Sequence, residues 1–173
     1  MRFAALLLFV IFAGLTLSSS GCYTFNPIKG NSPYSDSTTV RVAAFTNNAS
    51  LAKATLPQTL AEALRDAIQS QTKMDLVPRG GDLVYEGTIT GYSISPVSIQ
   101  AGTTQTAALN RLTIVVSLKF TDTKDDTKSF ETAFTRFADF STSQSLSAVE
   151  DELIKDIGNQ LVQDMLNRSI NNW

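Results

Sequence analysis

The stretch ALNRLTIVVSLKFTDT, residues 108–123, decides the fold that this sequence predicts. Apolar side chains occupy every second position along it, at Leu112, Ile114, Val116, Leu118 and Phe120. Because successive side chains of a β-strand point to opposite faces of a sheet, these five are expected in the core. The opposite face would carry Arg111, Thr113, Val115, Ser117 and Lys119.

The segment after this strand is predicted to return as its antiparallel partner. It is SFETAFTRFADF, residues 129–140, and the polar turn DTKDDTK precedes it. Phe130 and Phe134, when placed on the core face, lie near Phe120 and Val116 of the first strand.

The segment before the central strand, residues 83–99, is predicted to be a third long strand. Gly87 and Gly91 interrupt it, which indicates bulges or close packing against a helix. Pro96 implies an edge position or a break in the strand. The polar residues 100–106 are predicted to form an exposed hairpin tip.

Two shorter strands are predicted nearer the amino terminus. One spans residues 38–45, with Val40, Val42 and Ala44 on one face, and the other spans residues 74–78.

A helix is predicted from Thr55 because Thr55–Gln58 has the form of a capping box, with Pro57 in the first turn. Its apolar face is formed by Leu56, Leu60, Leu64 and Ile68. The polar face is not basic, so a core-facing helix is preferred to a helix on a membrane surface.

A second helix is predicted from a second capping box at Ser147–Glu150. Its apolar row is Val149, Leu153, Ile157, Leu161 and Met165, widened by Ile154, Val162 and Leu166. Gly158 lies in mid-helix, where glycine is unfavourable, and close approach to the sheet would explain it.

These elements predict an α+β fold. It is a two-layer sandwich, in which a mostly antiparallel sheet of about four strands packs against two helices. The chain has 173 residues, enough for one domain with a real core, and 43% of them are hydrophobic and 17% charged, which is a globular composition.

The amino terminus has the form of a secretory signal. Arg2 precedes an apolar run at residues 3–17, which is shorter than the ~20 residues of a membrane span, and small residues follow at 18–21. A signal peptide at residues 1–21 is therefore preferred to an uncleaved anchor helix. Residues 22–37, rich in Pro, Gly and small polar residues, are predicted to be a flexible tether before a single domain at 38–173.

Cys22 stands directly after the signal, and it is the only cysteine. A small-residue zone that ends at a cysteine resembles the lipobox of bacterial lipoproteins, although Ser19 stands where a leucine is usual. The resemblance implies that lipid is attached to Cys22, and this is preferred to a small buried cysteine. Tyr23, in place of Asp, implies sorting to the outer membrane.

Composition excludes several classes of function. Histidine is absent, so Ser-His-Asp, Cys-His and imidazole–metal chemistry are not available, and one cysteine forms neither a disulfide within the chain nor a Cys-based zinc site. The acidic groups Asp125–Asp126 and Glu150–Glu152 fit a turn and a helix's first turn. A Ser–Lys pair stays open, but no motif points to one, and no metal site is predicted.

Nucleic-acid binding is not predicted. The net charge is −2 and the pI near 5.1, whereas nucleic-acid binders usually carry a basic face. Aromatic residues cluster around Arg136, but Glu131 and Asp139 dilute the charge there. Core phenylalanines and a surface ion pair between Arg111 and Asp139 are the preferred interpretation.

Several stretches together carry a family resemblance. They are GCYTFNP at 21–27, LPQTLAEALRDAIQSQTKMDLV at 56–77, GDLVYEGTITGYSISPVSIQ at 81–100, TAALNRLTIVVSLKF at 106–120, FTRFADFSTSQSLSAVEDELI at 134–154, and the terminal NW. In number and order they resemble a divergent form of the LptE-like family, the lipopolysaccharide-assembly lipoproteins.

The resemblance implies a non-enzymatic lipoprotein on the periplasmic side of the outer membrane. Such a protein plugs and helps to assemble an LptD-type β-barrel and assists delivery of lipopolysaccharide to the cell surface. No cofactor is implied beyond the covalent lipid on Cys22. Arg111 and Lys119, on the non-core face, are the candidate contacts for lipopolysaccharide. The alternative is a lipid-anchored, periplasm-facing module that binds a lipid or glycan in an apolar pocket between sheet and helices.

Overall fold

The computed structural model describes Tyr34 and residues 38–99 and 107–171. Cys22, the signal peptide, the tether apart from Tyr34, the hairpin tip at 100–106 and Trp173 lie outside the described residues. The elements, in chain order, are β1 (Thr39–Val42), β2 (Thr46–Asn47), α1 (Leu56–Gln71), β3 (Asp75–Leu76), β4 (Leu83–Ile99), β5 (Ala107–Asp122), a 3-10 turn (Asp126–Lys128), β6 (Phe130–Ser141), α2 (Leu146–Leu166) and a π-helical turn (Asn167–Asn171).

The strands form one mixed sheet in the order β3-β1-β4-β5-β6, and β2 also pairs with β4. The three long strands β4, β5 and β6 are antiparallel, whereas β1 is parallel to β3 and β4, and β2 is parallel to β4. The helices pack against each other and against one face of the sheet. The α+β sandwich is confirmed. The described residues form six strands where about four were predicted, and the strand predicted over 38–45 is divided into β1 and β2.

The central strand β5 has the predicted alternation. The five residues predicted to face the core, from Leu112 to Phe120 at even positions, are at most 1% exposed. The predicted register with β6 is also confirmed, since Phe120 pairs with Phe130 and Val116 pairs with Phe134. The ring centroids of Phe120 and Phe130 are 5.3 Å apart.

The structure explains why glycine occurs at both positions in β4. The register with β5 shifts between Ile89 and Gly91, which is a bulge. Gly87 lies against the ring of Phe45, so the close packing is with a loop side chain and not with a helix. Pro96 has the predicted edge position, because the described strands β1 and β2 pair with that side of β4 only as far as Ile89.

The prediction of one strand over residues 38–45 is wrong in its second half. From Val42 to Thr46 the chain advances four residues, whereas their partners Tyr85 and Thr88 are three apart. The extra residue reverses the alternation, so Ala44 is exposed and Phe45 is buried. The predicted strand at 74–78 is reduced to β3.

The apolar faces of both helices are confirmed, but neither capping box forms. Thr55 has a helical backbone and makes no side-chain cap, and the side chain of Gln58 donates to Glu62 instead. Helix α2 begins at Leu146, so Ser147 lies inside it, and Glu150 accepts a hydrogen bond from Tyr92. Local spacing could not reveal these competing partners.

Gly158 allows close packing, but the neighbour is α1 and not the sheet. A Cβ atom at Gly158 would lie 3.2 Å from Cδ2 of Leu60. The absent side chain therefore leaves room for the tip of Leu60 between the two helices.

A pair of hydroxyl groups crosses the core. The hydroxyl of Tyr85, which is fully buried, lies 2.7 Å from Oγ of Ser169, and Ser169 also donates to the carbonyl of Met165. Burial raises the pKa of Tyr85 above its ordinary value.

Candidate functional site

The sheet has one face that the helices leave uncovered, and we call it the open face. The register places on it the alternate residues of four strands: Arg41 of β1, Glu86 and Thr88 of β4, Arg111 to Lys119 at odd positions of β5, and Glu131, Ala133, Thr135, Phe137 and Asp139 of β6. Both predicted contact residues, Arg111 and Lys119, thus lie where the alternation predicted.

Arg111 is held at one end of the open face. Its guanidinium donates to both carboxylate oxygens of Asp139, at 2.7 and 2.8 Å, and lies 3.7 Å over the ring of Phe137. The predicted ion pair is therefore confirmed. The hydrogen bond with Arg111 lowers the pKa of Asp139 and raises that of the guanidinium. Phe137 remains 47% exposed beneath the cation.

Lys119 lies towards the other end of the same strand. The ammonium group of Lys119 is 3.8 Å from the carboxylate of Glu86, which is also 3.7 Å from the guanidinium of Arg41. On β6, Lys119 pairs with Glu131. The side chain is 59% exposed, so it is the more accessible of the two candidate cations. Eight residues of strand separate it from Arg111, which corresponds to roughly 27 Å.

Arg136 does not belong to the open face. It pairs with Ile114, on the helix side of the sheet, and donates to Asp164 of α2 at 2.5 and 2.7 Å. The aromatic cluster around it is divided between the two faces: Phe140 is buried, Phe134 is half-buried against the core and Phe137 is on the open face. A stacking platform for nucleic acid, with aromatic rings interleaved with cations on one surface, does not form there.

A groove of about 730 Å³ runs between α1 and α2 on their solvent side. Both apolar and polar side chains of the two helices line it, including Ala63, Ala67, Ile154, Val162, Glu62, Asp66 and Lys155. This groove is not the apolar pocket between sheet and helices that a lipid-binding module would need.

Three members of the two acidic groups have structural partners. Asp125 accepts from the backbone and hydroxyl of Thr127 in the turn before β6, and these bonds lower its pKa. Glu150 accepts a hydrogen bond from the hydroxyl of Tyr92, and Asp151 forms an ion pair with Lys53 at 2.5 Å. Within the part of the chain that the structure describes, no three acidic, Cys or His side chains are grouped as metal ligands. In the same residues, no helix is long and apolar enough to cross a membrane.

A solved structure shares the fold. A Xanthomonas campestris protein of the DUF330 family is 16% identical, with 76% of this chain and 86% of that one covered and a TM-score of 0.51. A minor lipoprotein from Acinetobacter baumannii is 11% identical, with 76% and 91% covered and a TM-score of 0.49. No curated protein matches the chain.

The family comparison is more specific. The model of the family LptE, described as lipopolysaccharide-assembly, matches residues 37–169. This range begins just before β1 and includes both helices and all six strands. The match therefore covers the whole sandwich and not a single motif, and the chain belongs to the LptE family of lipopolysaccharide-assembly proteins.

Proposed function

We propose that this protein is an outer-membrane lipoprotein that plugs and helps to assemble an LptD-type β-barrel and assists delivery of lipopolysaccharide to the cell surface. The observation that carries the proposal is the family match over residues 37–169. Family membership points to a role in lipopolysaccharide assembly, and the barrel partner is the finer step that we add.

The surface of the domain supports a place inside a polar lumen. On the open face, Arg111 is neutralised by Asp139, and Lys119 and Arg41 lie close to Glu86. The interiors of wide outer-membrane barrels are polar, so a plug of paired charges and hydroxyl groups suits them. This role requires no catalytic residue, no cofactor and no nucleic acid.

Affinity purification from gently solubilised outer membranes tests the partner. We expect a tagged chain to recover a large β-barrel protein in a stable ratio. A matched control is the same tag on an unrelated outer-membrane lipoprotein. Recovery of this protein alone, under detergent conditions that keep other barrel complexes intact, would refute the plug.

We also propose that Cys22 carries the lipid that anchors the mature chain on the periplasmic side of the outer membrane. More than one acyl chain, at ~0.8 kcal/mol for each buried CH2 group, gives stable anchoring. Cys22→Ser should leave the domain folded and move it from the membrane pellet to the soluble fraction. If the variant remains in the pellet after a salt wash, the anchor is wrong, and mass spectrometry of Cys22 gives an independent measurement.

For direct contact with lipopolysaccharide we propose Lys119 and Arg111. Lys119 has the more exposed cation, whereas Arg111 would have to share its guanidinium between Asp139 and a phosphate. Lys119→Glu should weaken binding to lipopolysaccharide more than Lys124→Glu, a matched change in the turn after β5. Equal binding by the two variants would remove Lys119 from the site.

A further inference from the structure

The two edges of the sheet are very different. At one edge is β3, which is two residues long and is followed closely by Pro78 and the turn glycines. The same edge continues along β4 beyond Ile89, where the bulge at Gly91 and Pro96 interrupt it. At the other edge is β6, which has twelve residues. Short edge strands and prolines are usual protections against pairing with another chain, so one edge is protected and the other is not.

Strand β6 can accept a further strand along its whole length. The sequence FETAFTRFADFS contains neither proline nor glycine, and twelve residues correspond to roughly 40 Å of strand. Alternate residues of an antiparallel strand direct their N–H and C=O groups away from the paired neighbour. No described strand pairs with that outer side of β6.

Charged side chains often protect an edge, but most of those on β6 form ion pairs with other residues of this chain. Arg136 donates to Asp164 of α2, and Asp139 accepts from Arg111 of β5. Both bonds draw the charges back over the domain and away from the edge. Glu131, near the start of the strand, is the remaining charge.

We propose that β6 is a docking edge, onto which an extended segment of the barrel partner adds as a seventh strand. This inference rests on the proposed function. The wall strands of a closed barrel are all paired to each other, so the added strand must come from a segment of the partner outside its wall.

Charge favours a different polypeptide over a second copy of this chain. Two-fold antiparallel pairing of β6 with itself has two registers that use nearly the whole strand. One places Glu131 opposite Asp139 and the other places it opposite Ser141, so neither register gives this remaining charge a basic partner. The added strand should instead be uncharged along most of its length, with a basic residue opposite Glu131.

The core side of the edge specifies a second property of the added strand. Phe130, Phe134 and Ala138 are half-buried and pack against the core at this margin of the sheet. An apolar residue of the added strand facing this side would extend the row and bury it further.

Two neighbouring proline variants, Thr132→Pro and Ala133→Pro, test the docking in the full-length lipoprotein. Both residues are exposed, and only one of two adjacent N–H groups can point towards β5. One proline therefore breaks a bond of the sheet and lowers the unfolding midpoint, while the other removes only an outward donor. Thr132→Ala and Ala133→Ser, which keep the N–H group, are the matched controls.

We expect the proline variant with the unchanged midpoint to recover at least tenfold less barrel partner than its control. If it recovers as much barrel as the control, strand addition is wrong while the plug stands. If the unaltered protein recovers no barrel, both proposals fail.

A second measurement decides the case in which both proline variants unfold. Photocrosslinking residues at Ala133, Thr135 and Phe137 should attach to positions two residues apart in one segment of the barrel. Attachment to scattered positions or to the barrel wall, or no attachment, would overturn the docking edge.

Discussion

Replacing Gly87 with alanine tests how β4 packs against the loop between β1 and β2. An added Cβ would lie 2.4 Å from Cε2 of Phe45 and 2.6 Å from both Cδ2 and Cζ. Carbon atoms in favourable contact are about 3.5–4.0 Å apart, so the ring would have to retreat by about 1 Å. Phe45 is 6% exposed, and three atoms of one rigid ring are involved, so rotation of a flexible tip cannot relieve the overlap.

The expected cost follows from two opposed effects. Overpacking a well-filled core costs about 1–3 kcal/mol. Alanine in a strand recovers roughly 0.5–1 kcal/mol of backbone entropy relative to glycine. We therefore expect Gly87→Ala to lower the free energy of unfolding by about 1–2 kcal/mol. Phe45→Ala alone should lower it by about 3–5 kcal/mol because it leaves a cavity.

The double variant separates overlap from other effects. With Phe45 truncated, the new methyl group fills part of the cavity, so the double variant should be at least about 1 kcal/mol more stable than the sum of the single costs predicts. Urea unfolding of the mature chain with Cys22→Ser, monitored by circular dichroism, measures all four free energies. Additive costs, or a cost below about 0.5 kcal/mol for Gly87→Ala alone, would refute this account of the packing.

Two further predictions concern the helices. Tyr85→Phe should lower the free energy of unfolding by about 1 kcal/mol at pH 7, because the bond to Ser169 is lost. Burial raises the folded-state pKa of Tyr85, so the contribution of Tyr85 to stability is full below about pH 10 and decreases as the pH rises further. Above that pH, Tyr85→Phe should therefore lose less stability than the unaltered protein. The same alkaline profile for both proteins would contradict this. Gly158→Ala should stabilise α2 by about 0.5 kcal/mol in urea unfolding, because the helix gain of ~1 kcal/mol exceeds the cost of moving the Cδ2 tip of Leu60 by a few tenths of an ångström. A loss above about 1 kcal/mol would mean that the two helices cannot adjust.

The regular part of the fold could be predicted because periodicity alone carries it. The alternation in β5 predicts its core face, and that face predicts the pairing of Phe130 and Phe134 that the structure shows. The same parity placed Arg111 and Asp139 on one face, where they form an ion pair. In these elements local pattern and burial agree, so sequence reasoning is sufficient.

Predictions failed where two alternatives were equally good locally. The side chain of Glu150 can form either a capping box or a hydrogen bond to a distant residue. Only the tertiary position of Tyr92 decided between the two. Spacing also could not show that one extra residue between β1 and β2 reverses the side-chain direction and buries Phe45 in place of Ala44.

The sequence by itself determined the α+β class, the buried faces of β5 and both helices, and the assignment of charges to the open face, because each follows from a repeat of two or 3.6 residues. Only the tertiary structure decided the strand order, the neighbour that each glycine must accommodate, and the unequal protection of the two sheet edges. These features depend on which elements meet in space, and contacts between residues far apart in the chain leave no periodic signal in either partner.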